Sequence, residues 1–238
     1  MLQNHIAREI VVVLDFDGCI AIGEHVKIKY ARLYHKIEIG PKTCMSETYP
    51  LGSVMYKQLM KKVMVEHTEE YTLDPHCKDV LDALVGENFA FIIVSSRDEE
   101  ALESCKVYVK KHSLPIRVCY GTDDTSKADL CRKVHARALF DDGLKKLLEL
   151  QDSPLQLYFL EREWNTHEKL TKETQKRIVP LSDWRAFGME MKKMKQQHEA
   201  ICFYKQWINS ETKIKEIHAV IDKDSFFAAQ CLREYIRE

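Results

Sequence analysis

The run 10-IVVVLDFDG-18 closes an apolar stretch on two aspartates, Asp15 and Asp17, with one phenylalanine between them. A buried strand does not set two carboxylates side by side unless something holds their charge. Other polar groups follow apolar runs further along. Ser95, Ser96 and Arg97 follow 89-FAFIIV-94, Lys127 lies one loop beyond 116-IRVCY-120, and Asp141 and Asp142 follow 138-ALF-140. Open α/β sheets bind ligands beyond the carboxyl ends of their strands, so such a sheet would gather these groups in one crevice. Four carboxylates crowded together raise one another's pKa values, and a divalent cation relieves the repulsion. Oxygen-only ligands with retained waters suit Mg²⁺. A hard cation, a lysine and a hydroxyl donor together suit a phosphate dianion.

That constellation can move a phosphoryl group. Asp15, at the strand end, is the candidate nucleophile, attacking phosphorus to form an aspartyl-phosphate. Asp17, two residues on in an extended segment, would share its side, protonate the leaving alcohol and later deprotonate water. Lys127 and Mg²⁺ neutralise phosphoryl oxygens, and Ser95 donates a hydrogen bond to one of them. Ser96 joins Ser95 as a candidate phosphate ligand, and Asp15, Asp17, Asp141 and Asp142 are the candidate metal ligands. Gly18 lets the chain turn away so that backbone amides face the phosphate. Taken singly, each group has a plainer reading. An acidic pair caps a helix, a lysine is solvated, a Ser-Ser-Arg run starts a helix, and Arg97 pairs with a neighbouring acid. Joint placement at strand ends favours the active site.

The elements that must position these groups are readable. The segments 10–14, 89–94, 116–120, 138–140 and 155–160 are apolar runs of the kind that form strands buried on both faces. Helix-length amphipathic runs separate them, implying βαβ units and a doubly wound parallel sheet, an α/β Rossmann-like fold. In 74–87, Asp74 caps, Pro75 takes the first helical position and Gly86 stops the helix. Acids open and bases close 98–112, and Ser126 with Asp129 caps 126–136. Residues 22–72 far exceed a crossover and hold two amphipathic runs, 26–37 and 53–67, with Gly/Pro-bearing hinges. The expected organisation is a core of 1–21 and 73–187, a helical cap of 22–72, and a helical C-terminal extension of 188–238.

At this point the chain resembles the haloacid dehalogenase (HAD) superfamily. Asp-x-Asp-Gly after the first strand, Ser-Ser-Arg after the second, a lysine opening a helix and Asp-Asp after the fourth match its four motifs in order and spacing. The resemblance implies a phosphatase with Asp15 as nucleophile. It implies Asp17 as acid/base, with its backbone carbonyl on Mg²⁺. It places Ser95 and Lys127 on phosphate, Asp141 on the metal and Asp142 behind a water. Residues 158–187 further resemble the end of the 5′(3′)-deoxyribonucleotidase group, with Glu163 where that group has proline. There Asn165 ties down a turn and Trp184 anchors the core.

A net charge of −1 gives no general affinity for polyanions and weighs against nucleic acid. Eight cysteines without a C-x-x-C pair read as reduced, buried thiols of a cytoplasmic protein, and Cys19 reads as packing. No signal peptide and no membrane span are evident. The expected function is hydrolysis of a small phosphorylated metabolite, a nucleotide among the candidates. The alternatives are a phosphotransferase or nucleic-acid-end phosphatase with the same chemistry, and a non-catalytic scaffold. The C-terminal helices would then serve as an interaction or oligomer surface. In the cap, His25, Lys27, Tyr30 and His35 are either substrate readers or ordinary helix faces.

Overall fold

The structure, a computed structural model, describes residues 9–122 and 125–207, with side chains up to residue 199. Its centre is a six-stranded, all-parallel sheet of β1 (Ile10–Leu14), β4 (Phe89–Ser95), β5 (Ile116–Gly121), β6 (Ala138–Asp141), β7 (Gln156–Leu160) and β8 (Ile178–Leu181), in the order β5-β4-β1-β6-β7-β8. Alternate residues of each strand enter separate cores on the two faces. Leu14, Phe91, Phe140 and Tyr158 pack on one side, and Val13, Ile92, Leu139 and Phe159 on the other. This is why the strands read as unbroken apolar runs and not as alternating ones. The crossovers are α3 (Cys77–Val85), α4 (Glu99–Lys111), α5 (Lys127–Lys133) and α6 (Leu144–Leu148). The chain is thus an α/β protein with a doubly wound parallel sheet.

The expected strands are all present, and β8 is added. Pro180 interrupts that short run and lacks an N–H, which an edge strand tolerates. The helix expected over 74–87 begins later, at Cys77, because the Asp74 carboxylate pairs with Arg162 and does not cap. Asp98 and Ser126 cap α4 and α5 as expected, accepting from the backbone N–H of Ala101 and Asp129.

Residues between β1 and β4 hold α1 (Glu24–Tyr30), which runs into a π-helical turn (Ala31–His35), and α2 (Gly52–Glu66). Two-residue strands β2 (Ala21–Ile22) and β3 (Thr72–Leu73) pair antiparallel and bracket this insertion. Runs this short carry no periodic signal. After β8, α7 (Trp184–Trp207) packs Trp184, Phe187, Met191 and Met194 into the core. The rest of the expected extension lies outside the described residues. No helix among the described residues is long and apolar enough to cross a membrane.

Candidate active site

The central strands β1 and β6 deliver the first carboxylates. The Asp15 amide donates to the Phe140 carbonyl at 2.8 Å, so the β1–β6 ladder extends onto Asp15 and fixes its direction. Lys127, at the first position of α5, bridges the strand ends. Its Nζ lies 2.7 Å from Asp15 Oδ1 and 2.6 Å from Asp141 Oδ2. Lys146 of α6 adds a second ammonium, 3.7 Å from Asp15 and 3.8 Å from Asp141. The second Asp141 oxygen accepts from the Gly143 amide at 2.8 Å. Both oxygens of Asp141 are therefore engaged by the protein.

Asp142 is held from the opposite side. Trp164 Nε1 donates to its Oδ2 at 2.8 Å, and Asn165 Nδ2 donates to its backbone carbonyl at 2.8 Å. Asn165 also accepts from the Arg162 amide and donates to the Leu160 carbonyl, closing the turn after β7. Arg162 reaches back to the Gly18 and Cys19 carbonyls and pairs with Asp74, while Trp184 Nε1 donates to the Cys19 carbonyl at 3.0 Å. The loop after Asp15 is thus braced by the end of β7 and by α7. Gly18, at φ +83°, has no room for a Cβ, which would collide with the Asp142 carboxylate.

Asp17 has a different partner. Arg97 grips it bidentately, Nε to Oδ2 at 2.9 Å and an Nη to Oδ1 at 2.8 Å. The guanidinium is fully buried. Its other Nη donates to the carbonyls of Met64 and Ala101 and to the Thr68 hydroxyl, and it sits 4.8 Å over the Phe16 ring. Arg97 therefore ties Asp17 to the end of α2 and to the residues just beyond it.

The electrostatics separate these groups. Burial and the neighbouring Asp141 carboxylate push Asp15 up, against the pull of Lys127 and Lys146. Burial would raise Asp141 too, but the two lysines win and hold it below the usual range. Asp142 is pushed up to about 7 by burial and by the charges of Asp141 and Asp15. Asp17 is also buried enough to be raised, yet the Arg97 charge and hydrogen bonds bring it below its ordinary value. Carboxylate oxygens of Asp15 and Asp142 converge with the Cys19 sulfur, all within 4.8 Å of one another. Burial first, then Asp142, drives the Cys19 thiol well up, so it stays protonated and acts as packing. What remains is an oxygen donor set with excess negative charge, and it fits a hard divalent cation.

Of the residues expected from sequence, Asp15, Lys127, Asp141 and Asp142 meet at the strand ends, and Ser95 is buried at the end of β4. Asp17 adjoins the group but is held by Arg97, and Ser96 is exposed. Lys146 was not foreseen, because 144-LKKLL-148 reads as an ordinary solvated helix face. Trp164 escaped notice as well, because its partner is distant in sequence.

No family model matches the sequence, and no curated protein shows significant similarity to it. Solved structures do share its fold. A predicted phosphatase from Clostridium acetobutylicum aligns with a TM-score of 0.55 at 13% identity, covering 78% of this chain and 99% of that one. A Thermotoga maritima protein provisionally named a beta-phosphoglucomutase gives 0.55 at 13% identity, over 77% and 99%. A HAD-superfamily hydrolase from Ehrlichia chaffeensis gives 0.48 at 9% identity, over 79% and 98%. The likeness is one of fold. The chain shares the Rossmann-like α/β architecture of these proteins.

Proposed function

We propose that the protein is a Mg²⁺-dependent phosphomonoester hydrolase that works through an aspartyl-phosphate on Asp15. The observation that carries this reading is the Lys127 ammonium between Asp15 and Asp141, with Asp142 beside them. One cation clamps the candidate nucleophile, and the neighbouring acids remain in electrostatic deficit.

The Asp15 oxygen attacks phosphorus, and the bond from phosphorus to the leaving oxygen breaks. Lys127 and the Ser95 hydroxyl receive the phosphoryl oxygens, and Lys146 adds positive charge at the mouth. Asp17 gives a proton to the leaving alkoxide, then takes one from the water that cleaves the acyl-phosphate. Inorganic phosphate leaves and Asp15 is restored. Bound to Arg97, Asp17 is ionised and poised as the base, so proton donation requires its release from that pair. Asp15, Asp141 and Asp142 would hold Mg²⁺ together with the Asp17 carbonyl. When bound, Mg²⁺ supplies charge neutralisation for the approach of one anion to another.

The insertion bearing α1 and α2 serves as a small cap, which favours small metabolites over folded phosphoproteins. A nucleotide remains among the candidates, supported by the succession of β7, the Asn165 turn, β8 and a Trp184-bearing helix. The six cysteines whose side chains are described, all free and buried, support a reducing, cytoplasmic setting. The test is turnover of p-nitrophenyl phosphate with and without Mg²⁺. Activity should need the metal and vanish in Asp15→Asn. Turnover surviving that substitution would sink the mechanism.

A further inference from the structure

Two cysteines meet at one edge of the sheet and take no part in the steps above. Cys119 lies on β5, the edge strand, and Cys105 on α4, the helix that packs over it. Their thiols pair, the Cys105 S–H donating to the Cys119 sulfur. Cys105 is fully enclosed, whereas Cys119 keeps 9% of its surface open to solvent. The Lys106 ammonium, one residue along α4, acts on both sulfurs. The other described thiols differ. Cys19 and Cys44 donate to the Phe140 and Pro41 carbonyls, and burial drives Cys19, Cys44, Cys77 and Cys131 up. Among the described cysteines, Cys119 alone is brought down, first by the Cys105 hydrogen bond and then by Lys106, against its burial.

The thiolate is the form that attacks a peroxide, and a second thiol in contact with it turns the product into a disulfide. We propose that Cys119 and Cys105 are a hydroperoxide-responsive pair that closes to a disulfide tying α4 to β5. The Cys119 thiolate attacks one oxygen of hydrogen peroxide, and the O–O bond breaks. Cys119 becomes a sulfenic acid, and the departing hydroxide takes the Cys105 proton and leaves as water. The Cys105 thiolate then attacks the Cys119 sulfur, the S–O bond breaks, and the second hydroxide takes a proton from solvent. The two sulfurs together lose two electrons, and one peroxide is reduced to two waters. The insertion rests on this helix, since Ser104 donates to the Val65 carbonyl at 2.8 Å and Tyr108 to the Tyr71 carbonyl at 3.3 Å. The disulfide therefore stiffens the support of the insertion. In a reducing setting such a bond is transient, because cellular thiols undo it. The pair goes beyond the phosphohydrolase reading and does not depend on it.

The test is peptide mapping by mass spectrometry on the full chain, first reduced and then exposed to hydrogen peroxide. A peptide pair joined through Cys105 and Cys119 should appear, and dithiothreitol should reverse it. Samples quenched at intervals with iodoacetamide in denaturant should show the Cys119 thiol lost at least about tenfold faster than that of Cys131, which burial keeps protonated. In Cys105→Ala, Cys119 should accumulate as sulfenic acid and be trapped by dimedone. In Cys119→Ala, both the crosslink and the fast loss should vanish. If either variant fails to fold, the wild-type map decides by itself. Amide hydrogen exchange across α4 should slow by about tenfold in the crosslinked chain. Loss of Cys119 no faster than that of Cys131, a disulfide to another cysteine as the main product, or α4 exchange unchanged by the crosslink would overturn the proposal. None of these readouts uses phosphate turnover, so failure of the phosphohydrolase reading would leave the outcome as clear.

Discussion

The strand ends and the insertion-facing wall solve the same problem in opposite ways. Both bury carboxylates. At the strand ends, Asp15, Asp141 and Asp142 share two lysines, and Asp142 is left with its pKa near 7. At the wall, Asp17 has a bidentate arginine of its own and Glu24 has Lys27. The first region is short of positive charge, and on the proposed function a cation and a phosphate would complete it. The second is neutral in charge, and what it lacks is hydrogen bonds. A crowded site keeps unbalanced charge, and a paired site keeps unmet hydrogen bonds.

Breaking the strand-end arrangement should cost most. Asp15→Asn is expected to lower kcat on p-nitrophenyl phosphate by at least about a thousandfold, measured by phosphate release. On the wall, Arg97→Met leaves Asp17 partly buried and unpaired, with three further donor bonds gone. Urea unfolding should show a loss of about 3–5 kcal/mol, and Arg97→Lys should recover part of it. Gly18→Ala forces a side chain into the Asp142 carboxylate at a left-handed φ. It should lose about 1–3 kcal/mol and weaken Mg²⁺ dependence together.

Asp142 sharpens the contrast through pH. Its folded pKa of about 7 exceeds the ordinary 3.8, so between these values the folded chain holds a proton that the unfolded chain has lost. Metal-free stability should therefore fall as pH rises from 4 to 7, by up to a few kcal/mol. Asp142→Asn should flatten that slope, raise metal-free Tm at pH 8 and remove stabilisation by Mg²⁺. The smallest effect is expected at the exposed Lys29–Glu70 pair, where Lys29→Ala should leave Tm unchanged within error.

The strands were legible because both faces of the sheet are covered, so 10-IVVVL-14 and 89-FAFIIV-94 had no reason to alternate. The polar residues after them were legible because a parallel sheet sends every strand end to the same edge. Pairings across long separations were not. Ser-Ser-Arg announces a helix start, but nothing local says that Arg97 will hold Asp17 and the Met64 carbonyl together. Asp74 looks like a cap until Arg162, far along the chain, claims it. Asn165 was readable as a turn residue, and its second bond to Asp142 was not. Lys146 hides in a Lys-Lys pair whose neighbour points elsewhere. Side-chain pairings of this kind belong to the tertiary structure, and one-dimensional patterning records them only where the backbone also demands the residue.

The bracing of the Gly18–Cys19 loop by Arg162 and Trp184 carries a consequence for how the molecule comes into being. These contacts span 144 and 165 residues of sequence. Folding rates fall as contacts become more distant in sequence. The chain leaves the ribosome with Asp15 early and Trp184 late, so a nascent fragment short of α7 lacks one of the two braces of the Gly18–Cys19 loop. The final arrangement of that loop is then a late event in synthesis, reached only after the last edge strand has docked.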